Sequence, residues 1–265
     1  MLYNAKSGAV EIDGVRMDYA AFGRGDRVLV MIPGLNTRGV KGAALSLAYM
    51  YRIFARDYRV YVLDRKAIIP EGYTVADIAE DVVKVMNALG ISRADVFGVS
   101  QGGMIAQYLA INHPDLVRKL VLGVTLSRNN ETVRAAVGNW IRMAEAGEYR
   151  GFMVDMFERM YSEAYLKRYM WLFPVLSRLG RPRDAVRFVR LAKACFTCDA
   201  YDKLDRIQCP TLVIGGRKDR VVTGEASVEI AERIGCAVHM YDDLGHAAYE
   251  EAKDFNRRVL DFLME

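Results

Sequence analysis

Strand-like and helix-like segments alternate along most of this chain, and this alternation restricts the possible folds more than any other feature of its sequence. Segments with helical spacing of apolar residues separate six short apolar runs that are typical of buried strands: RVLVMI (27–32), RVYVLD (59–64), DVFGV (95–99), KLVLGV (119–124), TLVIGG (211–216) and AVHMY (237–241). Strands joined through helices pair in parallel, because the crossover returns the chain to the same edge of the sheet. The sequence therefore predicts an α/β fold, a mostly parallel sheet with helices on both faces.

Local signals mark where several of these elements begin and end. Asp13-Gly14 separates two strand-like runs and is typical of a tight hairpin turn, so the sheet is expected to open with an antiparallel pair. Thr74, with Asp77 three residues later, predicts the start of a helix that ends near Gly90. Further helices are expected over 42–55, over 104–111, from about 225, and over 255–263.

The alternation is interrupted between residues 126 and 205, where helical spacing continues without a clear strand. We interpret this stretch as a helical cap inserted into an α/β core that comprises residues 1–125 and 206–265. From 126 to 206 the sequence has 15 Lys and Arg against 10 Asp and Glu, so the positive charge of the chain is concentrated here. Long basic side chains on the solvated faces of amphipathic helices explain this excess, and a preference for anionic substrates is the alternative.

Size and charge favour some classes of protein over others. A chain of 265 residues, 52% of them hydrophobic, buries one sizeable core with a subdomain beside it. A formal charge of only +4, without a run of like charges, gives no reason to expect nucleic acid or a membrane as a partner. No apolar stretch approaches the roughly 20 residues of a membrane span, and the first residues lack a signal-peptide pattern. We therefore expect a cytoplasmic protein, and the sequence carries no signal for its oligomeric state.

The four cysteines lack the pattern of a disulfide framework. Cys195, Cys198, Cys209 and Cys236 are few and scattered for a chain of this length, so free thiols are expected. The first two, taken with Cys236 and His239, have a spacing that zinc sites use. Ordinary packing of a helix and a strand explains the same residues. We expect neither a metal nor another cofactor.

The sequence Gly98-Val99-Ser100-Gln101-Gly102 stands where a strand is predicted to end and a helix to begin. The pattern alone is weak, because G-x-S-x-G also arises by chance. Its position is informative, since a nucleophilic serine must project from a tight strand-to-helix turn where glycines let backbone segments approach closely. The following helix directs free N–H groups and the positive end of its dipole at the same point. We predict that Ser100 is a nucleophile rather than an idle serine in a glycine-rich turn.

A serine hydroxyl needs a general base, and the chain offers three histidines. His113 lies thirteen residues beyond Ser100 on what is predicted to be the same helix, about 20 Å away at 1.5 Å per residue. His239 falls within a predicted strand, whereas functional groups of open α/β sheets cluster in loops beyond the carboxyl ends of strands. His246 lies in such a loop, YDDLGHAAYE, and is the predicted base.

The third partner is a carboxylate that holds the imidazole in the required tautomer. Asp219 follows the strand TLVIGG through a short loop, again at a carboxyl end. Asp242 and Asp243 are its rivals, but they precede His246 so closely that they are expected to shape its loop instead. After the strand KLVLGV no acidic residue occurs until Glu131. We predict that Asp219 orients the histidine.

With the serine, the aspartate and the histidine in that chain order on an alternating sheet, the sequence resembles the α/β-hydrolase superfamily over nearly its whole length. GVSQGG resembles the nucleophile elbow, GGRKDRVV the acid loop and DLGHAAYEE the histidine loop. The resemblance implies that the backbone N–H groups of Gln101 and Leu35 bind the oxyanion. Two segments depart from the common pattern: IPGLN (32–36), which lacks the usual His-Gly, and DRKAIIPEGYT (64–74), from which no functional conclusion follows.

The resemblance also indicates which of the reactions known for this fold a serine nucleophile can perform. Its epoxide hydrolases and haloalkane dehalogenases use aspartate where this chain has Ser100, which leaves acyl chemistry. We therefore expect a carboxylesterase-like enzyme that cleaves a small or medium carboxylic ester, as a small-molecule substrate, through an acyl-enzyme on Ser100. A carbon–carbon bond hydrolase, a lactonase or an acyltransferase on the same three residues is the alternative. A non-catalytic receptor that binds its ligand in the cap-covered pocket is a further alternative, from a different class of protein.

Overall fold

A computed structural model describes residues 2–173 and 181–265, and an eight-stranded sheet forms the centre of this part of the chain. Its strands are β1 (Lys6–Ile12), β2 (Val15–Phe22), β3 (Arg27–Ile32), β4 (Tyr58–Lys66), β5 (Ala94–Val99), β6 (Val117–Gly123), β7 (Thr211–Gly216) and β8 (Ala237–Tyr241). All six apolar runs that predicted strands are strands in the structure.

The strands lie in the order β1-β2-β4-β3-β5-β6-β7-β8. β1 and β2 form the predicted antiparallel hairpin, and Asp13 and Gly14 take the positive φ angles, 52° and 74°, that such a tight turn requires. β2 is also antiparallel to β4, and every later pair is parallel. β3 lies between β4 and β5, so the chain changes direction across the sheet at this point. Open sheets of this kind bind ligands beyond the carboxyl ends of the strands around such a switch.

Helices cover both faces of the sheet. They are α1 (Ala44–Met50), α2 (Val75–Ala88), α3 (Gln101–Asn112), α4 (Glu131–Glu145), α5 (Tyr149–Met160), α6 (Glu163–Tyr169), α7 (Ala185–Cys195), α8 (Gly224–Ile234), α9 (Ala248–Glu251) and α10 (Phe255–Met264). α2, α3 and α8 bury residues such as Val82, Leu109 and Ile230 against one face. α1 and α10 bury Ala48 and Phe255 against the other. The predicted α/β fold class is therefore confirmed.

Sequence signals located some helix boundaries correctly and one incorrectly. α2 begins with a complete capping box, in which Thr74 and Asp77 each bind the other's backbone N–H. The single helix predicted over 42–55 is wrong, because α1 ends at Met50 and a 3₁₀ turn follows over Arg52–Phe54. That tighter turn accompanies complete burial of Phe54 in the hydrophobic core, which a uniform helical spacing does not anticipate.

α4, α5, α6 and α7 lie between β6 and β7, two strands that pair directly with each other. We call the segment from Glu131 to Cys195 the helical insert. Its interior includes Trp140 and Phe152, and the ring of Phe152 meets that of Phe188 edge-on at 5.1 Å. The boundaries expected for a separate cap, 126 and 205, stay a prediction. None of the helices in residues 2–173 and 181–265 combines the length and apolarity needed to cross a lipid bilayer.

A buried ion pair joins β4 to α2. Lys66 Nζ lies 2.7 Å from Asp81 Oδ1, and only 7% of the lysine side chain and 3% of the aspartate side chain are exposed. The hydroxyl of Tyr73 donates to the other oxygen of Asp81 at 2.9 Å. Burial raises the pKa of Asp81, and the bonds from Lys66 and Tyr73 oppose that shift. The carboxylate therefore depends on these partners to remain charged inside the protein.

Replacement of Lys66 by methionine should lower the free energy of unfolding by about 3 kcal/mol or more, because it leaves Asp81 buried without a counter-charge. Urea denaturation followed by circular dichroism measures this loss. Lys84→Met is the matched control, since Lys84 is half exposed and pairs with Asp13 at the surface. Its expected effect is below about 1 kcal/mol. Equal effects of the two substitutions would contradict this account of the buried pair.

Candidate functional site

Ser100 occupies the turn between β5 and α3 in a left-handed conformation, with φ 54° and ψ −120°. Its N–H donates to the carbonyl of Gly123 at 2.8 Å. Two residues before Ser100 and two residues after it, neighbouring backbone leaves no space for a side chain, so both positions are glycine. A β-carbon on Gly98 would lie 2.4 Å from the carbonyl oxygen of Gly102, and one on Gly102 would lie 1.8 Å from that of Ile32. The turn therefore packs too closely for any larger residue at either position.

Hydrogen bonds connect Ser100, His246 and Asp219 in one chain. His246 follows β8, and its Nε2 lies 2.9 Å from the Ser100 hydroxyl oxygen. Its Nδ1 lies 2.8 Å from Oδ2 of Asp219. Both His246 and Asp219 are buried, while Ser100 is partly exposed. The structure thus brings together the three residues that the sequence analysis selected from three distant loops.

The backbone after β7 orients the Asp219 carboxylate. Its Oδ1 accepts hydrogen bonds from the N–H groups of Val221 at 2.7 Å and Val222 at 3.0 Å. Two such donors fix the carboxylate and leave Oδ2 directed at the imidazole. The loop then enters α8 through Thr223, whose φ of 74° is unusual for a β-branched residue.

The rival residues have other partners. Asp242 pairs with Arg217 at 2.7 Å and Asp243 pairs with Lys218 at 2.8 Å, all at the protein surface. Of the other histidines, His113 contacts Glu80 beyond the end of α3, and His239 stacks edge-on against Tyr241 within β8. In residues 2–173 and 181–265, the histidine that contacts the Ser100 hydroxyl is His246.

The predicted oxyanion donors border Ser100 from two directions. Gln101 is the first residue of α3, so its N–H has no intrahelical acceptor and adds to the positive end of the helix dipole. Leu35 follows Gly34, and a β-carbon on Gly34 would lie 3.2 Å from Cβ of Ser100. Within residues 2–173 and 181–265, neither backbone N–H donates to a protein acceptor. These positions are consistent with the predicted role, which remains a proposal.

Several residues that support this turn were not predicted from the sequence. The Thr125 hydroxyl donates to the Ser100 carbonyl at 2.7 Å, and the preceding Val124 has a φ of 44°, again in the left-handed region. Arg65 and the amide of Gln101 lie beneath the oxyanion loop, residues 33–36. A polar residue directly after an apolar strand, as in LGVT and VLDR, is the signal that could have indicated them.

The described residues contain no group of three or more histidine, cysteine or acidic side chains arranged to hold a metal ion. Cys195 and Cys198 are buried, and burial raises the pKa of the Cys195 thiol to about 11. The Cys195 sulfur accepts a hydrogen bond from the side-chain amide of Gln101 at 3.2 Å. A packing role accounts for these two thiols.

Comparison with known proteins identifies the family. The sequence profile described as the alpha/beta hydrolase fold matches residues 27–253, most of the chain. The chain belongs to this α/β-hydrolase family. The expectation of an enzyme is thereby supported, because the relatives that it matches are named hydrolases.

Similar proteins have several hydrolytic activities. A 2-hydroxy-6-oxononadienedioate/2-hydroxy-6-oxononatrienedioate hydrolase of Paraburkholderia xenovorans is 30% identical over 96% of this α/β-hydrolase and 92% of its own length. A RutD protein of Rhizobium rhizogenes, provisionally named a carbamate hydrolase, is 25% identical over 85% and 90%. The enol-lactonase structure from Burkholderia xenovorans superposes with a TM-score of 0.85 at 22% identity, covering 97% and 100% of the two chains. At 22% identity, the similarity to the enol-lactonase shows a shared fold and nothing about activity.

The neutral form of His246 is expected to carry its proton on Nδ1, because the buried Asp219 accepts there and leaves Nε2 free to face Ser100. Imidazole ¹⁵N chemical shifts of the histidine-labelled protein, followed through a pH titration, measure the tautomer. Asp219→Asn should change the tautomer of His246 and leave His113, bound to an exposed glutamate, unaffected. An Nε2-protonated His246 at neutral pH would contradict the described hydrogen-bond chain.

Proposed function

We propose that this α/β-hydrolase cleaves carboxylic esters of small or medium size through an acyl-enzyme on Ser100. The observation that carries the proposal is the unbroken hydrogen-bond chain from Ser100 through His246 to the buried Asp219. A hydroxyl with such a base within 3 Å is activated for nucleophilic attack. The strained turn that holds Ser100 supports the same role, since strain of this kind persists where function requires it.

In the proposed reaction, Ser100 Oγ attacks the substrate carbonyl carbon while His246 Nε2 takes the hydroxyl proton. The carbonyl π electrons move to oxygen, and the N–H groups of Gln101 and Leu35 stabilise the resulting oxyanion. When the tetrahedral intermediate collapses, the bond to the leaving oxygen breaks and His246 returns the proton to it. Water, deprotonated by His246, then attacks the carbonyl carbon of the acyl-enzyme; the bond from that carbon to Ser100 Oγ breaks, His246 returns the proton to Oγ, and the acid is released. Asp219 holds the imidazole and stabilises its charged form throughout.

Hydrolysis of a carbon–carbon bond is the second candidate. The relative from Paraburkholderia xenovorans favours it, because the dioates in its name contain no ester or amide and their hydrolysis must break a carbon–carbon bond. The two candidates share the residues around Ser100 and differ in the substrate that enters. The helical insert and the loops around it therefore decide between them.

A receptor without catalysis is less consistent with the geometry. A binding protein has no need for a buried carboxylate that orients a histidine, or for a histidine that in turn contacts a partly exposed serine. A left-handed serine conformation also lowers stability without improving a binding pocket. Selection for turnover explains all three features together.

A substrate panel tests the proposal. With p-nitrophenyl esters from acetate to decanoate, kcat/KM should rise roughly fourfold per added carbon until the pocket is full, since each buried methylene contributes about 0.8 kcal/mol. Ser100→Ala should reduce turnover to background and abolish labelling by a fluorophosphonate probe. A 2-hydroxy-6-oxodienoate substrate in the same panel distinguishes the second candidate. Native protein that neither turns over any compound nor reacts with the probe would support the receptor alternative instead.

Substitution of the acid tests its assignment. Asp219→Asn should reduce kcat by a factor on the order of 10⁴, because an amide holds the imidazole in the wrong tautomer. Asp243→Asn is the matched control: it removes an acid from the loop that carries His246, yet Asp243 is exposed and pairs with Lys218 at the surface. Steady-state kinetics on the preferred ester measure both variants. If Asp219→Asn left kcat nearly unchanged while Asp243→Asn lowered it severely, the assignment of Asp219 as the acid would be wrong.

A further inference from the structure

Arg65, at the end of β4, is a buried cation without a carboxylate partner among the described residues. Only 2% of the residue is exposed. Two of its three guanidinium nitrogens, Nε and Nη1, find no acceptor in residues 2–173 and 181–265. Buried polar groups are almost always paired, and an arginine left in this state lowers stability. Such an exception calls for a functional explanation.

The neighbouring carboxylate has other donors. Asp64 accepts hydrogen bonds from the backbone N–H groups of Val40 and Arg65, both within 2.9 Å. Its side chain forms an ion pair with Arg187 of α7, also at 2.9 Å. Arg65, Arg187 and Asp64 together therefore carry one uncompensated positive charge. Burial and the nearby Arg187 lower the pKa of Arg65 to about 10, against the attraction of Asp64, so the guanidinium is still a cation at neutral pH.

The remaining nitrogen of Arg65 contacts the two segments that hold the proposed oxyanion donors. Nη2 donates to the Pro33 carbonyl at 2.5 Å, and Pro33 begins the segment that leads through Gly34 to Leu35. The same nitrogen lies 3.5 Å from Oε1 of Gln101. The Gln101 amide is fixed from its other side, because Nε2 donates to the Leu191 carbonyl at 2.6 Å.

The Pro33 carbonyl lies one residue beyond the Ile32 carbonyl, where these segments approach most closely. A β-carbon on Gly102, in the first turn of α3, would lie 2.7 Å from its oxygen. A β-carbon on Gly34, the next residue after Pro33, would lie 3.2 Å from Cβ of Ser100. A rotation of the peptide plane between Pro33 and Gly34 would therefore move the backbone beside Ser100. The hydrogen bond from Arg65 to the Pro33 carbonyl opposes that rotation.

We propose that Arg65 is a positioning residue of the oxyanion hole, which orients the Pro33–Gly34 peptide and the Gln101 side chain beside the nucleophile. The proposal rests on the acyl chemistry proposed for Ser100. Preorganised donors act on the transition state more than on the bound substrate. A fixed positive charge beneath the loop adds attraction for the developing oxyanion in a site of low dielectric constant.

Arg65→Met, which keeps the length of the side chain but removes its charge and donors, tests the proposal together with Arg65→Lys. We expect Arg65→Met to lower kcat 10- to 100-fold and to leave KM nearly unchanged. The reason is that the support Arg65 gives to the oxyanion donors lowers the energy of the transition state and not that of the bound substrate. The rate of Ser100 labelling by a fluorophosphonate should fall by a similar factor. Arg65→Lys should be intermediate, because an ammonium keeps the charge without the planar donors. The limb of the pH profile that reports His246 should not move.

Thermal unfolding separates this role from a structural one. Removal of a buried cation with unpaired N–H groups should leave the melting temperature of Arg65→Met equal to that of the native protein or raise it. Arg142→Met, at an exposed arginine paired with Glu148, is the control and should change neither labelling nor melting temperature.

Four results would overturn the proposal. One is labelling of Arg65→Met at the native rate, which would reject the inference while leaving the role of Ser100 intact. Another is a fall in the labelling rate of Arg65→Met that is matched by a fall in the fraction of folded protein. The third is a rise in KM confined to substrates that bear a carboxylate, which would make Arg65 a substrate anchor. Absence of labelling in the native protein would reject the inference together with the proposed function.

Discussion

The position of Ser100 depends on the close approach of three backbone segments. The end of β3, the end of β5 and the first turn of α3 come so near to one another that no side chain fits at Gly98 or Gly102. This contact forces Ser100 into a left-handed conformation and projects its hydroxyl from the carboxyl edge of the sheet. The loops after β7 and β8 end at the same edge, so Asp219 and His246 reach the hydroxyl without any further adjustment of the fold.

Much of this arrangement could be predicted from the sequence, because the relevant signals are local. Apolar runs identify the strands, Asp13-Gly14 the hairpin, and Thr74 with Asp77 the start of α2. Parallel strands gather their following loops at one edge, and this rule, together with the distance along α3 that excluded His113, selected His246 among the three histidines. The helix predicted over 42–55 was wrong, because Phe54 is buried in a core cluster that includes α10, from the far end of the chain, and the spacing of apolar residues does not encode such contacts.

Arg65 shows why the supporting residues were missed. Its sequence neighbourhood, VLDRK, resembles any strand that ends in charged residues, and Lys66 beside it forms an ordinary buried ion pair with Asp81. What distinguishes Arg65 is the absence of a carboxylate partner among the described residues, together with its contact to Pro33. Pro33 lies 32 residues away in the chain, and Arg187, which pairs with Asp64, lies 122 residues from Arg65. A polar residue after an apolar strand marks the position of Arg65, but periodicity and spacing do not reveal these contacts.

The direct pairing of β6 with β7 has a consequence for how such a chain can diversify. The two strands hold the ends of the helical insert at a fixed separation, and the entropy of closing a connection grows only slowly with its length, by about 0.6 kcal/mol per doubling. Insertions, deletions or wholesale exchange of helices between these strands therefore leave the sheet register nearly undisturbed. Contacts between the insert and the core restrict this freedom. In one of them, Arg187 of α7 forms an ion pair with Asp64 and also donates to the backbone carbonyls of β4. A replacement insert would have to supply a new cation at that point, or the core would lose the carboxylate that anchors Val40.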